Sequence, residues 1–250
     1  MVGKVEKYLT DAVARKGTIH LSLIDPQNVT TEIVGRLARK LDDLGSTAIM
    51  IGGSTVVSQR DLDEVVKEIK KSTELPTILF PNGVAGISEY ADAIFFSTLM
   101  NSSNPYYITG AQALGAPLIK RYGLETLSMG YLIVGASPGA AGFVGQAMPI
   151  PADKPELASM YALAAEYLGM RFVYLEAGSG SDKPVPLEMV EHVRKSISVK
   201  LIVGGGIRKP EQAKQIAEAG ADAIVTGTII EQDSIENTEK LIAAMRRRPS

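Results

Sequence analysis

Hydrophobic positions recur along the chain in two alternating rhythms. Lys4 to Arg15 carries Val5, Leu9, Ala12 and Val13 at helical spacing, and Gly17 ends the segment. Thr18 to Ile24 is β-rich and stops at Asp25-Pro-Gln-Asn28. Thr30 or Thr31 can cap a helix that runs to about Leu44, before Gly45. Further strands are predicted at Ala48–Ile51, Thr77–Phe80, Ala93–Phe96, Thr126–Val134, Arg171–Leu175, Leu201–Val203 and Ala223–Val225. Helical patterns fall between them, near Gln59–Lys71, Tyr106–Leu118, Lys154–Leu168, Leu187–Lys195, Pro210–Ala219 and Ile235–Arg247. Strand and helix in strict alternation imply a parallel sheet with helices outside. Eight such strands in 250 residues close most naturally into a TIM (β/α)8-type barrel, which typically needs about that length. An open doubly wound sheet is the rival. Residues 1–250 are read as a single barrel domain.

Two connections break the rhythm. Between Phe80 and Ala93 lie only twelve residues, with a proline and two glycines crowded into the first half. A full crossover helix hardly fits, so the helix of the third βα unit is expected to be short or missing, leaving an opening in the helical ring. The fifth connection, Gly135 to Pro151, is long, rich in glycine and without helical period. It is a candidate lid.

Composition narrows the function. There is no cysteine, which excludes disulfides and thiolate metal sites. A net charge of −2 gives no electrostatic reason to expect nucleic acid, and Arg246-Arg247-Arg248 reads as a solvated helix end where cations suit the dipole. The N-terminal residues lead into no apolar signal-like core, and no apolar stretch approaches the roughly 18 residues of a membrane span. A cytoplasmic protein without a membrane span is expected.

In a barrel the chemistry sits at the C-terminal ends of the strands. Those ends carry Asp25, then Gly52-Gly53-Ser54-Thr55, then Tyr174-Leu175-Glu176-Ala177-Gly178-Ser179-Gly180, Gly204-Gly205-Gly206, and Thr226-Gly227-Thr228. The loops after strands 7 and 8 are where barrels often bind phosphate. Glycines there allow close backbone approach, and Thr228 adds a hydroxyl at the start of a helical segment. Tight turns alone are the bland alternative. Asp25 and Ser54 are oxygen ligands from neighbouring strand ends, of a kind that suits Mg²⁺. Asp25 before Pro26 also suits a capping turn. Glu176 poses a problem, because a carboxylate repels a phosphate at contact distance. The two belong together if the ligand has an anionic end and a hydroxyl end, with Glu176 holding or deprotonating the hydroxyl. His20, mid-strand, and His192, on an outer helix, are read as structural. Phe95, Phe96, Tyr106, Tyr107 and Tyr131 are core residues or walls of an apolar groove at the opening.

Six segments together resemble the geranylgeranylglyceryl phosphate synthase family, which includes related bacterial prenylglyceryl phosphate synthases. They are Leu23-Ile-Asp-Pro-Gln-Asn28, Ile51-Gly-Gly-Ser-Thr55, Leu79-Phe-Pro-Asn82, Tyr174-Leu-Glu-Ala-Gly-Ser-Gly180, Val203-Gly-Gly-Gly-Ile207 and Thr226-Gly-Thr-Ile-Ile-Glu231. The resemblance spans nearly the whole chain, and the strand 6 segment is the most specific. It implies a modified TIM barrel with the third helix replaced. It also implies a prenyltransferase joining sn-glycerol 1-phosphate to geranylgeranyl diphosphate, the first ether bond of archaeal membrane lipids. By that resemblance Asp25 and Ser54 bind Mg²⁺, which holds the diphosphate. Tyr174, Leu175, Glu176, Ala177, Gly178, Ser179 and Gly180 hold the glycerol phosphate, with Gly205, Gly206, Gly227 and Thr228 at its phosphate. Glu176 is the general base.

The chain departs from helical prenyltransferases in having no Asp-rich metal motif. The rival reading is a sugar-phosphate isomerase or aldolase. It would need paired aspartates on opposite strands or a Schiff-base lysine at a strand end, whereas Lys200 stands at the start of its strand. A phosphate-binding scaffold without turnover would not depend on Glu176. The family is generally oligomeric, so a homo-oligomer is expected.

Overall fold

A computed structural model describes residues 2–53, 58–135, 139–227 and 235–245. Its eight strands are β1 (Ile19–Ile24), β2 (Ala48–Ile51), β3 (Thr77–Leu79), β4 (Ala93–Leu99), β5 (Glu125–Ile133), β6 (Phe172–Glu176), β7 (Lys200–Gly204) and β8 (Ala223–Thr226). They pair in sequence order and in parallel, and β8 pairs with β1 to close the barrel. The eight predicted strands are therefore all present, and the doubly wound alternative falls because that sheet would have two free edges.

The two-residue period decides which side chains fill the barrel. Ile19, Leu21 and Leu23 of β1 join Met50, Ile78, Phe95, Leu127, Met129, Phe172, Ile202 and Val225 in the interior. Ile24 instead faces outward, in a cluster with Val34, Ala38 and Leu41 of α2 (Thr31–Asp43) and Leu62, Val66 and Ile69 of α3 (Gln59–Ser72). On the other side, Val173, Leu175, Leu201 and Val203 pack under α6 (Pro155–Tyr167), α7 (Leu187–Ser196), α8 (Pro210–Glu218) and the C-terminal α9 (Ile235–Met245).

The N-terminal ends of the strands are plugged. Helix α1 (Lys4–Lys16) lays Val5, Leu9 and Ala12 against the barrel interior. No side chain of its own caps it. The Glu125 carboxylate at the start of β5 accepts the N–H groups of Val5 and Glu6, both at 2.8 Å, an anion at the positive end of the helix. Arg171 then holds Glu6 with Nε 2.7 Å from both carboxylate oxygens. The cavity is thus confined to the opposite end.

The third βα unit contains only a 3-10 turn, Val84–Gly86, in place of a helix, as the short link predicts. Helix α4 (Ala111–Tyr122) follows β4 after one wide turn, Tyr106–Gly110. The fifth connection differs from its expectation. A six-residue helix, α5 (Gly139–Val144), stands where no helical period is visible, because two glycines in six residues hide the pattern. The segment behind it is also stitched down. The Asn101 side-chain amide donates to the Met148 and Ile133 carbonyls at 2.8 and 2.9 Å and accepts the Ile133 N–H at 3.2 Å. The Ser102 hydroxyl donates to Gly145 at 2.6 Å. These bonds tie residues 145–148 of the expected lid to the β4 loop.

Asn101 is buried, so truncating it takes the side-chain partner from the Ile133 N–H and the Met148 carbonyl, each at a cost of about 1–3 kcal/mol, while the Ile133 carbonyl keeps the Ile150 N–H. Asn101→Ala should lower unfolding free energy by about 2–4 kcal/mol in urea titration. A loss under about 1 kcal/mol would show that the rim is not held here.

Candidate active site

A cavity of about 860 Å³ opens at the C-terminal ends of the strands. Its lining mixes inward residues (Phe95, Leu99, Tyr131, Tyr174) with outward ones (Ile94 and Phe96 of β4, with Ile87 and Ile119). Both faces of one strand can border a single cavity only if the space runs over the top of the wall. It does so where the third helix is missing, reaching Ala111, Gln112 and Gly115 on α4.

Glu176 ends β6 in the cavity wall and is only 8% exposed. Burial drives its pKa above the usual carboxylate range, opposed by the Tyr174 hydroxyl and the Gly178 N–H. The Gly178 N–H donates to Oε1 at 2.8 Å. Below it the interior is aromatic. Tyr174 stacks on Phe80 with ring centroids 5.7 Å apart, and Tyr131 meets both rings, at 5.2 Å from Tyr174 and 5.4 Å from Phe80. Burial, with the Glu176 charge beside them, pushes the Tyr131 and Tyr174 phenols well above their usual range, so both are O–H donors at neutral pH.

The glycines of the β7 loop make room for this group. A Cβ on Gly204 would collide with the Tyr174 hydroxyl, and one on Gly205 with Glu176 Oε1. Gly205 and Gly206 also have φ of 81° and 68°, a region that L side chains rarely enter. Gly204 and Gly205 therefore serve the protein's own Tyr174–Glu176 pair, and Gly205 and Gly206 line the cavity as well.

Across the mouth, Asp25 lines the same cavity. Its Oδ1 accepts the Gln27 N–H at 3.0 Å, so the capping-turn reading and the rim position hold together. A Cβ on Gly53 would displace the Asp25 carboxylate from its present position. Among the described residues no group of three or more His, Cys, Asp or Glu could cage a metal. Mg²⁺ commonly takes one or two carboxylates plus waters and substrate phosphates, and a single rim carboxylate fits that sparse mode. Ser54 lies outside the described residues, as do Thr228 and Ile229-Ile-Glu231 of the β8 loop.

The end of β8 is anchored from behind. His20 faces outward and is buried, with Nε2 2.8 Å from the Thr226 hydroxyl and Nδ1 3.0 Å from the Ser46 hydroxyl. Burial lowers its pKa to about 3, which keeps it neutral. It is structural, as expected, and it holds the residue that precedes Gly227. His192 is exposed on α7.

The structure thus brings together Asp25, Tyr174, Glu176, Ser179, Gly180, Gly205, Gly206 and Gly227 around one cavity. It does not bring three others. Leu175 and Ala177 face away into the cluster under the outer helices, because alternate strand residues point to opposite faces. The Ala177 N–H is also taken, by the Gly204 carbonyl at 3.1 Å. Gly178 gives its N–H to Glu176 and does not line the cavity. Of the two tyrosines after β4, Tyr107 lines the wall, while Tyr106 packs edge-on against it and is partly exposed. Arg208, Ser181 and Asn237 line the cavity without having been singled out from sequence. Arg208 follows Gly206 by two residues, the nearest thing to a signal.

The model of the PcrB family matches residues 11–246. The chain is 55% identical over 248 residues to the geranylgeranylglyceryl phosphate synthase of Pyrococcus furiosus, covering 98% of each. It is 51% identical over 247 residues to that of Thermofilum pendens, covering 99% of this chain and 95% of the relative. A crystal structure of (S)-3-O-geranylgeranylglyceryl phosphate synthase from Thermoplasma acidophilum, in complex with its substrate sn-glycerol-1-phosphate, superposes with a TM-score of 0.93. It is 40% identical, covering 98% of this chain and 99% of that one.

The raised pKa of Glu176 has a consequence for stability. A carboxyl whose folded pKa lies above its unfolded value stabilises the fold at low pH. That contribution is lost as pH rises through the folded value. Glu176→Gln has no charge to bury. It should melt higher than the parent at pH 8, and the gap should close below about pH 4, in the ordinary carboxylate range. A variant that melts lower at pH 8 would mean that the hydrogen bonds outweigh burial.

Proposed function

This chain belongs to the PcrB family, and on that premise we propose that it joins sn-glycerol 1-phosphate to geranylgeranyl diphosphate. The products are geranylgeranylglyceryl phosphate and diphosphate. The observation that carries the reading is the position of Glu176. A buried carboxylate of raised pKa stands between glycine turns on one side and an apolar cleft on the other. A substrate with a phosphate and a hydroxyl suits the first side, and a prenyl chain suits the second.

An alcohol is a weak nucleophile, and a positioned carboxylate activates it. The terminal hydroxyl of the glycerol phosphate attacks the first carbon of the prenyl chain, the bond from that carbon to the diphosphate oxygen breaks, and the hydroxyl proton passes to Glu176. A carboxylate whose pKa is raised by burial is the stronger base for that step. Tyr174 orients it through its hydroxyl, and the Gly178 N–H fixes Oε1. Asp25, with Ser54, would hold Mg²⁺, which as a Lewis acid assists departure of the diphosphate. Gly205, Gly206 and Gly227, with Ser179 and Gly180, offer the surface for the glycerol phosphate's anionic end.

The prenyl chain is assigned to the cleft over the β3–β4 wall. Ile87, Ile94, Phe96 and Ile119 line it, and Tyr107 stands beside its mouth. The isomerase or aldolase reading finds no support, since Lys200 lies at the far end of β7, 3.4 Å from Asp222. No described helix is long and apolar enough to cross a membrane, and a cytoplasmic location is proposed with the function. A homo-oligomer is also proposed. Its support is the outer face of α6, where Met160, Tyr167 and the following Leu168 are 66%, 80% and 70% exposed.

Purified protein given labelled sn-glycerol 1-phosphate and a series of prenyl diphosphates should form an ether product, best with geranylgeranyl diphosphate. Diphosphate release without ether product would sink the transferase reading. Glu176→Gln should lose about 100-fold or more in kcat, within the range of general-base contributions. Equal turnover would refute the base assignment. In the parent enzyme kcat/KM should rise with pH through an acid limb above the ordinary carboxylate range, because Glu176 must be ionised to accept the proton. A profile flat down to pH 5 would contradict this.

A further inference from the structure

The cavity has a charge imbalance. Among its described lining residues the charged side chains are Asp25, Glu176 and Arg208. Both substrates of the reaction proposed above carry phosphoryl groups; Asp25 is assigned to a cation, and Glu176 repels them, so Arg208 is the one described cationic side chain in the lining. The Gly178 N–H is already engaged by the Glu176 carboxylate. Neutral N–H and hydroxyl groups, those of Ser179 and Ser181 among them, would then face a phosphate beside a buried anion.

Arg208 stands where the loops of β6 and β7 meet. Its guanidinium Nη2 donates to the Gly180 carbonyl at 3.0 Å. Its backbone N–H donates to Gln212 Oε1 at 2.9 Å, and its carbonyl accepts from Asn237 Nδ2 at 2.9 Å. The residue is therefore anchored to α8, α9 and the β6 loop, while the guanidinium keeps further N–H donors. Among the described residues the one ion pair it forms is with Asp182, at 3.8 Å, and the Asp182 side chain is 96% exposed. A solvent-exposed pair of that length is weak, and a phosphate dianion would outcompete it.

We propose that Arg208 is a phosphate-binding residue for the glycerol phosphate, one arm of its guanidinium latching the Gly180 carbonyl and the rest facing the phosphate at Gly205 and Gly206. The assignment rests on the transferase reading. It selects glycerol phosphate over prenyl diphosphate because Arg208 lies at strands 6 and 7, with Gly180 and Gly206, whereas Asp25 lies at the end of β1. A planar fork suits two phosphate oxygens at once, which an ammonium does not.

The test uses the full-length chain with Arg208→Gln and Arg208→Lys. Calorimetric titration with sn-glycerol 1-phosphate, and separately with inorganic phosphate, should show Kd raised about 10- to 100-fold in Arg208→Gln, the range of a lost charge-assisted contact. Arg208→Lys should fall between that variant and the parent. In turnover the KM for sn-glycerol 1-phosphate should rise far more than that for the prenyl diphosphate. Unchanged Kd for both probes in Arg208→Gln would overturn the assignment. So would equal weakening of both substrates, which marks a collapsed loop. If Arg208→Gln melts early, the Arg208→Lys result decides. A parent that binds sn-glycerol 1-phosphate but forms no ether would fail the transferase reading and leave the Arg208 comparison in force.

Discussion

An ionisable carboxylate in a barrel lined by aromatic and aliphatic side chains is costly, and the surrounding structure is arranged around that cost. Glu176 reaches the interior end of β6 with two compensating donors, the Gly178 N–H and the Tyr174 hydroxyl. The space it occupies is cut from the neighbouring strand by Gly204 and Gly205, where any side chain would strike Tyr174 or Glu176. The compensation is incomplete, since burial still raises the pKa. That residual penalty is what makes the carboxylate a stronger base. Stability and reactivity thus trade against each other at one residue.

The rest of the barrel explains why such a group is usable. One end is sealed by α1, clamped through Glu125 and Arg171, and the aromatic cluster of Phe80, Tyr131 and Tyr174 closes the floor. Access remains only from the C-terminal ends. There the missing helix between β3 and β4 extends the cavity sideways, so that a polar half and an apolar half meet beside Glu176. A complete helical ring would leave the same carboxylate over a small polar pocket, with no place for a long apolar substrate.

Much of this was legible in the residues. Strand and helix positions followed from periodicity to within a few residues at their ends, and the short Phe80–Ala93 link gave away the missing helix. The differences between pattern and placement have specific causes. Leu175 and Ala177 share a motif with Glu176 but not a face, since a strand turns alternate side chains away from the barrel. Gly178 looked like an anion donor, and is one, but its anion is the protein's own Glu176. Helix α5 is hidden by its glycines, and the segment after it is held by Asn101, 47 residues before Met148 in the chain, through contacts no local pattern encodes. Arg208 gives little signal in sequence, because one arginine after a glycine turn is ordinary until the β6 loop, α8 and α9 are seen to hold it.

Local sequence by itself determined the number of strands, their parallel order, the missing helix and the chemical inventory of the rim, including Asp25, Glu176 and the glycine turns. These depend on near-neighbour spacing and residue type. Only the tertiary structure decided which of those groups face the cavity, which donors are already engaged and how far Glu176 is desolvated. Each of those depends on distances between strands far apart in sequence, and the electrostatic work of burying a charge is set by everything packed around it. In this barrel that surrounding is β7, whose glycines leave Glu176 its place.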